Sequence, residues 1–345
     1  MKILLPFVNH LNQEINHNIF GSGIGKFCHQ IYHTFDDVEV VQIDNADVRN
    51  FKKIAPYLKS KALELDVDII ISNYDQAAFC GSKIIDSSIP ILMIGHSNTG
   101  VASIIARLTN LLKKGHSVFL VSKFQKKYFD AMSKRLTGKY IQFDGFLNSS
   151  YCQGDKPKLV EPEYEVGTIG RCDSVFKKPF ILKELLEDTN VKNLVMSNVE
   201  NDTDPYYLKH KNQPDTFWNL PHSQVMDNLA KCKTYFGTYW HETWSITALE
   251  ALSHGVPIIL NAKDNNHAAN VIPAKSSHYK NISHNSKEEL ISAISSFDGI
   301  DRKEIQDMTW EKHSHKNWKK TFSNAIDKTI EKFKKTRPTL EKFYD

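Results

Sequence analysis

The sequence predicts an α/β chain of two successive Rossmann-like domains, on three observations: a length of 345 residues, short apolar runs alternating with amphipathic stretches, and a polar, proline-bearing break near the middle. A chain this long exceeds one ordinary compact domain, and each half has enough residues to bury its own core. Apolar runs that alternate with helical patterns feed a parallel sheet.

In the first half the strands fall at 2–8, 38–43, 67–72, 90–95, 117–121 and 139–142. The opening Met1-Lys2-Ile3-Leu4-Leu5-Pro6-Phe7-Val8 lacks a small-residue cleavage site and reads as a buried first strand, not a signal peptide. The clearest helices are 101–114 and 123–136; in the first, Ile104, Ile105, Leu108, Leu111 and Leu112 recur at helical spacing. From Asn148 to Glu165 the alternation stops and Pro157 and Pro162 mark a linker. A second series follows, with strands near 165–170, 192–197, 234–237 and 256–260 and helices near 178–188, 222–231, 245–253 and 286–297. One long helix is expected from Trp310 to about Lys335, ending before Pro338. The domains are therefore expected at 1–150 and 151–310, with a helix and tail at 311–345.

Composition excludes several classes. At 41% hydrophobic and 24% charged, without an apolar stretch of membrane-spanning length, the chain is expected to be soluble. Its five cysteines (Cys28, Cys80, Cys152, Cys172, Cys232) form no C-x-x-C pair and no zinc spacing, which fits a reducing cytoplasm. The sequons at Asn148, Asn201 and Asn281 carry no weight without secretion. Net charge is only +4, but nine basic residues against the single acid Asp130 lie between Arg107 and Lys139, Lys113, Lys114, Lys123, Lys126 and Lys127 among them. They make a positive surface on the first half.

Four constellations bear on chemistry. Gly21-Ser22-Gly23-Ile24-Gly25-Lys26 precedes an amphipathic helix, and Gly23 and Gly25 would let backbone approach an anion at a helix start. A dinucleotide fingerprint wants glycine where Lys26 stands; a P-loop wants glycine at Phe20 and a hydroxyl at Phe27; a tight turn without ligand competes equally. Gly170-Arg171, with Lys177 and Lys178 downstream, follows the first strand of the second half, where an Arg fork and a Lys can clamp a diphosphate without metal. The stretch Glu242-Thr243-Trp244-Ser245-Ile246 leads into a helix carrying Glu250. Eight residues is just over two turns, so both carboxylates can face one cleft about 12 Å apart along the axis. His96, at the end of the fourth strand, is a structural hydrogen bonder or a site residue with equal standing. Asp202-Thr203-Asp204 has the D-x-D form of a divalent-metal site, but it lies on a polar loop and is read as incidental, so no metal site is expected.

Taken together, the Gly-rich loop, Gly170-Arg171 with Lys177, and Glu-x7-Glu followed by Ala251-Leu252-Ser253-His254-Gly255-Val256-Pro257-Ile258-Ile259 resemble the retaining GT-B glycosyltransferases of the family 4 type. Val121-Ser122-Lys123 and Trp310-Glu311-Lys312 extend the similarity over nearly the whole chain. The resemblance implies two Rossmann-like domains facing a central cleft, with the C-terminal helix crossing back to the first. It implies metal-independent transfer with retention, without cofactor, from a nucleotide-sugar donor, taken as UDP-linked, bound by the C-terminal domain to an acceptor bound by the N-terminal one. It assigns Arg171 and Lys177 (or Lys178) to the diphosphate, Glu250 to the ribose, Glu242 with the backbone at Thr243 to Ser245 to the transferred sugar, and His96 to the donor sugar. Thr243-Trp244-Ser245 replaces the usual Gly-Phe-Gly, which alters the sugar pocket.

For the acceptor, the basic surface suits an envelope glycan or lipid-linked sugar at an anionic membrane, or DNA. The DNA form has a specific parallel, since Ile169-Gly170-Arg171 with a following Lys is similar to phage enzymes that α-glucosylate hydroxymethylated cytosine. A small soluble acceptor competes equally. Either host fits a cytoplasmic location, of a bacterium or of a phage-infected cell, peripheral to the membrane if the acceptor is lipid-linked. Two other classes compete: a nicotinamide-dependent Rossmann enzyme, disfavoured by Lys26, and a sugar-binding protein with a degenerate site.

Overall fold

The computed structural model describes residues 1–9, 23–44, 50–73, 88–96, 101–170, 178–197, 205–238, 245–261 and 276–341. The chain divides into two compact units, Met1–Ser150 with Lys316–Asp345, and Tyr151–His315.

The first unit holds β1 (Ile3–Asn9), β2 (Val38–Asp44), β3 (Ile69–Ser72), β4 (Ile91–Gly95), β5 (Ser117–Leu120) and β6 (Gly145–Phe146) in the order β2-β1-β3-β4-β5-β6. Every pairing is parallel. Strands β3, β4 and β5 are buried throughout, which is why Ile69-Ile70-Ile71 and Ile91-Leu92-Met93-Ile94 read as unbroken apolar runs. Helices α1 (Gly23–Thr34), α2 (Phe51–Leu65), α3 (Val101–Lys113) and α4 (Lys123–Thr137) connect the strands. Ser122 caps α4 by accepting the Gln125 N–H, and Gly138, at φ 71°, ends it.

The strand expected at 139–142 does not form. Ser133 Oγ donates to the Lys139 carbonyl at 2.7 Å and Thr137 Oγ1 accepts the Lys139 N–H at 3.3 Å, so local side chains take the backbone groups a ladder would need. The sixth strand comes later, at Gly145–Phe146.

In the second unit, β7 (Tyr164–Gly170), β8 (Asn193–Ser197), β9 (Thr216–Trp218), β10 (Cys232–Gly237), β11 (Ile258–Leu260) and β12 (Tyr279–Asn281) lie in the order β12-β11-β10-β7-β8-β9, again all parallel. Its helices are α5 (Ile181–Leu186), α6 (Pro205–His210), α7 (His222–Ala230), α8 (Ile246–Ser253), α9 (Lys287–Ser295) and α10 (Arg302–Lys312). Strand residues alternate between two cores. Leu194, Met196, Tyr235, Ile258 and Leu260 pack with Leu229 of α7, Ala248, Ala251 and Leu252 of α8 and Ile305 of α10. Val195, Phe236 and Ile259 pack with Leu182 and Leu186 of α5 and Leu290 and Ile294 of α9. Helices α5 and α8 therefore cover opposite faces of this sheet.

The single helix expected from Trp310 is two. Trp310 belongs to α10, and α11 (His315–Glu341) begins after a break at His313-Ser314. The His313 carbonyl accepts the Cys152 N–H at 2.9 Å, which takes it out of the helical ladder. Helix α11 also runs past Pro338 instead of stopping before it, as α2 runs through Pro56. Proline costs a helix one N–H and a local clash, which packing elsewhere along these helices outweighs. Trp318, Phe322, Ala325, Ile326 and Phe333 form the buried stripe of α11. Trp318 Nε1 donates to the Asn148 carbonyl at 2.8 Å, and Lys332 Nζ bonds Asp144 at 2.6 Å, so the C-terminal helix is part of the first unit.

The stretch expected as a linker, Asn148 to Glu165, divides at Ser150: its first three residues belong to the first unit and the rest to the second. Arg302 Nη1 donates to the Val160 carbonyl at 2.7 Å and Gln306 Nε2 to the Pro157 carbonyl at 3.0 Å. No helix among the described residues is long and apolar enough to cross a membrane.

Candidate functional site

In an open parallel sheet the chain leaves two neighbouring strands in opposite directions at one point, and the crevice between their carboxyl ends binds ligands. In the second unit that point lies between β7 and β10: β7 leads on to α5 on one face and β10 to α8 on the other. Gly170 closes β7, and Arg171 is the next residue along the chain. Gly237 closes β10, and Glu242 precedes by three residues the cap of α8, Ser245. Arg171, Lys177, Glu242, Thr243 and Trp244 lie outside the described residues, as do Asp202, Thr203 and Asp204. Lys178 is described: it is exposed and its carbonyl accepts the Ile181 N–H at 3.2 Å, at the entry to α5.

Ser245 starts α8 by accepting the Ala248 N–H on its Oγ at 3.1 Å. The Tyr235 hydroxyl donates to Thr247 Oγ1 at 2.9 Å, which fastens the first turn of α8 to β10. The first-turn N–H groups, from Ile246 onward, bring the positive end of the helix dipole to the carboxyl edge of the sheet, a setting that favours an anion.

Glu250 lies one turn into α8 with its side chain only 13% exposed, and its Oε1 is 2.9 Å from Nε2 of His222, the first residue of α7. A carboxylate only accepts, so this imidazole nitrogen carries the proton. The Glu250 backbone is held as well: its carbonyl accepts from Ser253 Oγ at 2.7 Å and from His254 Nδ1 at 2.8 Å. Burial pushes His254 below the ordinary histidine pKa, against the pull of the Glu250 carbonyl and carboxylate. Trp310 Nε1 donates to the Ser253 carbonyl at 2.9 Å and closes the far end of α8.

In the first unit, Gly23 and Gly25 stand in the first turn of α1, while Gly21 and Ser22 lie outside the described residues. Lys26, in the same turn, is buried. His96 follows β4; its Nε2 is 2.9 Å from Asn73 Oδ1, and its ring meets Phe27 edge-on at 4.9 Å. Asn73 Nδ2 donates to Cys28 Sγ at 3.0 Å, which fixes the amide and makes His96 Nε2 the donor. Desolvation lowers the His96 pKa to about 4, so the ring is neutral at pH 7. Of the basic residues, Lys113, Lys123 and Lys127 are exposed, Lys114 is half-buried and Lys126 is ion-paired with Asp130. Lys123, Lys127 and the exposed Lys134 recur at i, i+4 and i+11 along α4 and form one stripe.

Among the described residues no group of three His, Cys, Asp or Glu side chains is placed to hold a metal ion. Sequence reasoning did not find His222, Tyr235, Thr247, Asn73 or Cys28.

No protein-family model matches the chain, and no curated protein matches its sequence. Solved structures do. The chain is similar to the lipopolysaccharide outer core galactosyltransferase WaaB in its apo form, at 14% identity and a TM-score of 0.62, over 94% of this chain and 99% of that one. It is similar to Anabaena HepE in complex with UDP and glucose, at 13% identity and a TM-score of 0.63, over 95% and 99% of the two chains. It is also similar to an alpha-glucosyltransferase in complex with UDP and a 13-mer DNA containing a HMU base, at 16% identity and a TM-score of 0.56, over 94% and 100%. Two parallel six-stranded sheets with flanking helices, matched over nearly their full length by these enzymes, make this chain an α/β protein of the GT-B fold.

Proposed function

We propose that the chain is a retaining, metal-independent glycosyltransferase of the family 4 type, which takes a sugar from a nucleotide donor, UDP-linked by preference. The observation that carries the reading is the switch point of the second sheet: the strand before Gly170-Arg171 and the strand before Glu242 are neighbours, and the helix that follows the latter holds Glu250 in a fixed, nearly buried position. UDP in two of the similar structures supports the choice of donor.

In this reading Glu250 accepts hydroxyls of the ribose, and Arg171 with Lys177 or Lys178 takes the diphosphate. Glu242 and the start of α8 receive the transferred sugar. The barrier lies in the departing diphosphate, whose growing charge is met by preorganised cations and the dipole of α8. The bond from the sugar's anomeric carbon to the phosphate oxygen breaks while the acceptor oxygen bonds to the same face. A donor phosphate oxygen takes the acceptor's proton, so no nucleophilic carboxylate is required.

The acceptor side is assigned to the first unit. The lysine stripe of α4 supports a polyanionic surface as the place where the acceptor is met, with a lipid-linked or envelope sugar on an anionic cytoplasmic membrane face as the first reading. The DNA in one similar structure favours a second, hydroxymethylated cytosine in duplex DNA. Binding to phosphatidylglycerol vesicles and to duplex DNA across a salt series separates them.

The test of the donor reading is a screen of nucleotide sugars for thermal stabilisation and turnover. The reading expects one of them to raise the melting temperature, and Arg171→Ala and Glu250→Ala to abolish transfer while leaving the fold intact. Full activity in either variant refutes the assignment.

A further inference from the structure

Glu250 poses a physical problem that its surroundings answer in an unexpected way. A carboxylate with only 13% of its side chain exposed has lost most of its contact with water and needs hydrogen-bond donors from the protein in its place. The donor 2.9 Å from it comes from another helix, 28 residues earlier in the chain: Nε2 of His222. That imidazole stands on a prepared mount. Pro221, extended at φ −53° and ψ 145°, turns the chain into α7, and its carbonyl accepts the Val225 N–H at 3.0 Å. Helix α7 follows β9 as α8 follows β10, so both helices begin at the carboxyl edge of the same sheet. The His222 side chain is 38% exposed, so one edge of the ring meets Glu250 while part of it faces solvent.

We propose that His222 is a positioning residue of the donor site: its Nε2–H holds one carboxylate oxygen of Glu250 and so orients the group to receive the neighbouring hydroxyls of a ribose. This rests on the reading that Glu250 binds the ribose of a nucleoside diphosphate sugar. The imidazole acts through Glu250 and not by touching the sugar, so its effect must vanish when Glu250 is gone. Glutamine, whose side-chain Nε2–H can reach the same point, must substitute for it in part.

The experiment is calorimetric titration of UDP, GDP and ADP into the full chain in five forms: wild type, His222→Ala, His222→Gln, Glu250→Ala and the His222→Ala, Glu250→Ala double variant. The expected result is that the wild type binds at least one of the three and His222→Ala binds it about tenfold more weakly, the scale of one hydrogen bond to a charged group. His222→Gln recovers most of the loss, and the double variant binds no more weakly than Glu250→Ala alone. A His222→Ala affinity equal to wild type, with Glu250→Ala weakened, overturns the role of His222 and leaves the donor site standing. A loss of the same size in the Glu250→Ala background overturns it too, because His222 would then act on its own. Wild-type protein that binds none of the three nucleotides overturns the donor reading itself, and this inference with it.

Discussion

Arg302 is the residue on which the geometry of the second unit can be tested most sharply by stability. It opens α10, and its guanidinium donates to four backbone carbonyls from three separate stretches: Val160 at 2.7 Å, Ala230 at 2.9 Å, Gly255 at 3.1 Å and His254 at 3.4 Å. The first lies ahead of β7, the second ends α7, and the last two follow α8. A single planar group thereby ties together the segments that carry His222 and Glu250. Replacing it with alanine leaves three well-formed bonds unmade, and at about 1 kcal/mol each the cost is about 3 kcal/mol, less where water reaches Val160. For a unit of this size that corresponds to a melting point lower by roughly 5–10 °C. Arg302→Lys should recover less than half, because one ammonium cannot span the fork. Urea unfolding of the three proteins measures both numbers. A loss under about 0.5 kcal/mol, or full recovery by lysine, would refute the clamp.

Three further outcomes follow from the packing and the buried groups. Gly255 sits at φ +71°, and a Cβ there would stand 2.5 Å from the Arg302 carbonyl oxygen; Gly255→Ala should cost about 2 kcal/mol or more, with thermal melting as the check. Burial lowers His96 and His313 to about 4 and His116 to about 3, from an ordinary 6.5, so the unfolded chain binds more protons than the folded one between those values. Stability is therefore complete above pH 6.5 and falls as pH drops toward 4, by about 1.4 kcal/mol per pH unit for each such histidine in a unit; a urea midpoint that is unchanged or higher at pH 5 than at pH 7 would contradict this. Cys28 and Cys232 are buried, with pKa values pushed up to about 12, so iodoacetamide at pH 8 should modify them only in denaturant, as read by peptide mass.

How much of this was legible in the sequence depended on where the information lay. Strands buried on both faces announce themselves as apolar runs, so β3, β4, β5, β8 and β11 were found near their observed places. The edge strands β9 and β12 were missed: Thr216-Phe217-Trp218 and Tyr279-Lys280-Asn281 are three residues each, half-buried or exposed, and show no run or alternation. The break between α10 and α11 was hidden because both sides keep a helical pattern, and what parts them is a carbonyl taken by Cys152, over 150 residues away. Pro338 misled because a proline marks a preference and not a stop. In the candidate site, Ser245, Ile246 and Glu250 could be placed on one helix because cap and helix are local. The partner of Glu250 could not, since no short-range pattern links positions 222 and 250. The same holds for Asn73 and Cys28, which come to His96 and to each other through the sheet order.

The central claim is that the carboxyl edge of the second sheet, at β7 and β10, holds the nucleotide end of a sugar donor. Hydrogen–deuterium exchange with and without a saturating nucleotide sugar tests it most directly. The account predicts slowed exchange concentrated in peptides spanning Thr168 to Lys178 and Thr238 to Glu250. Protection that leaves both peptides unchanged, while the ligand is demonstrably bound, would contradict it.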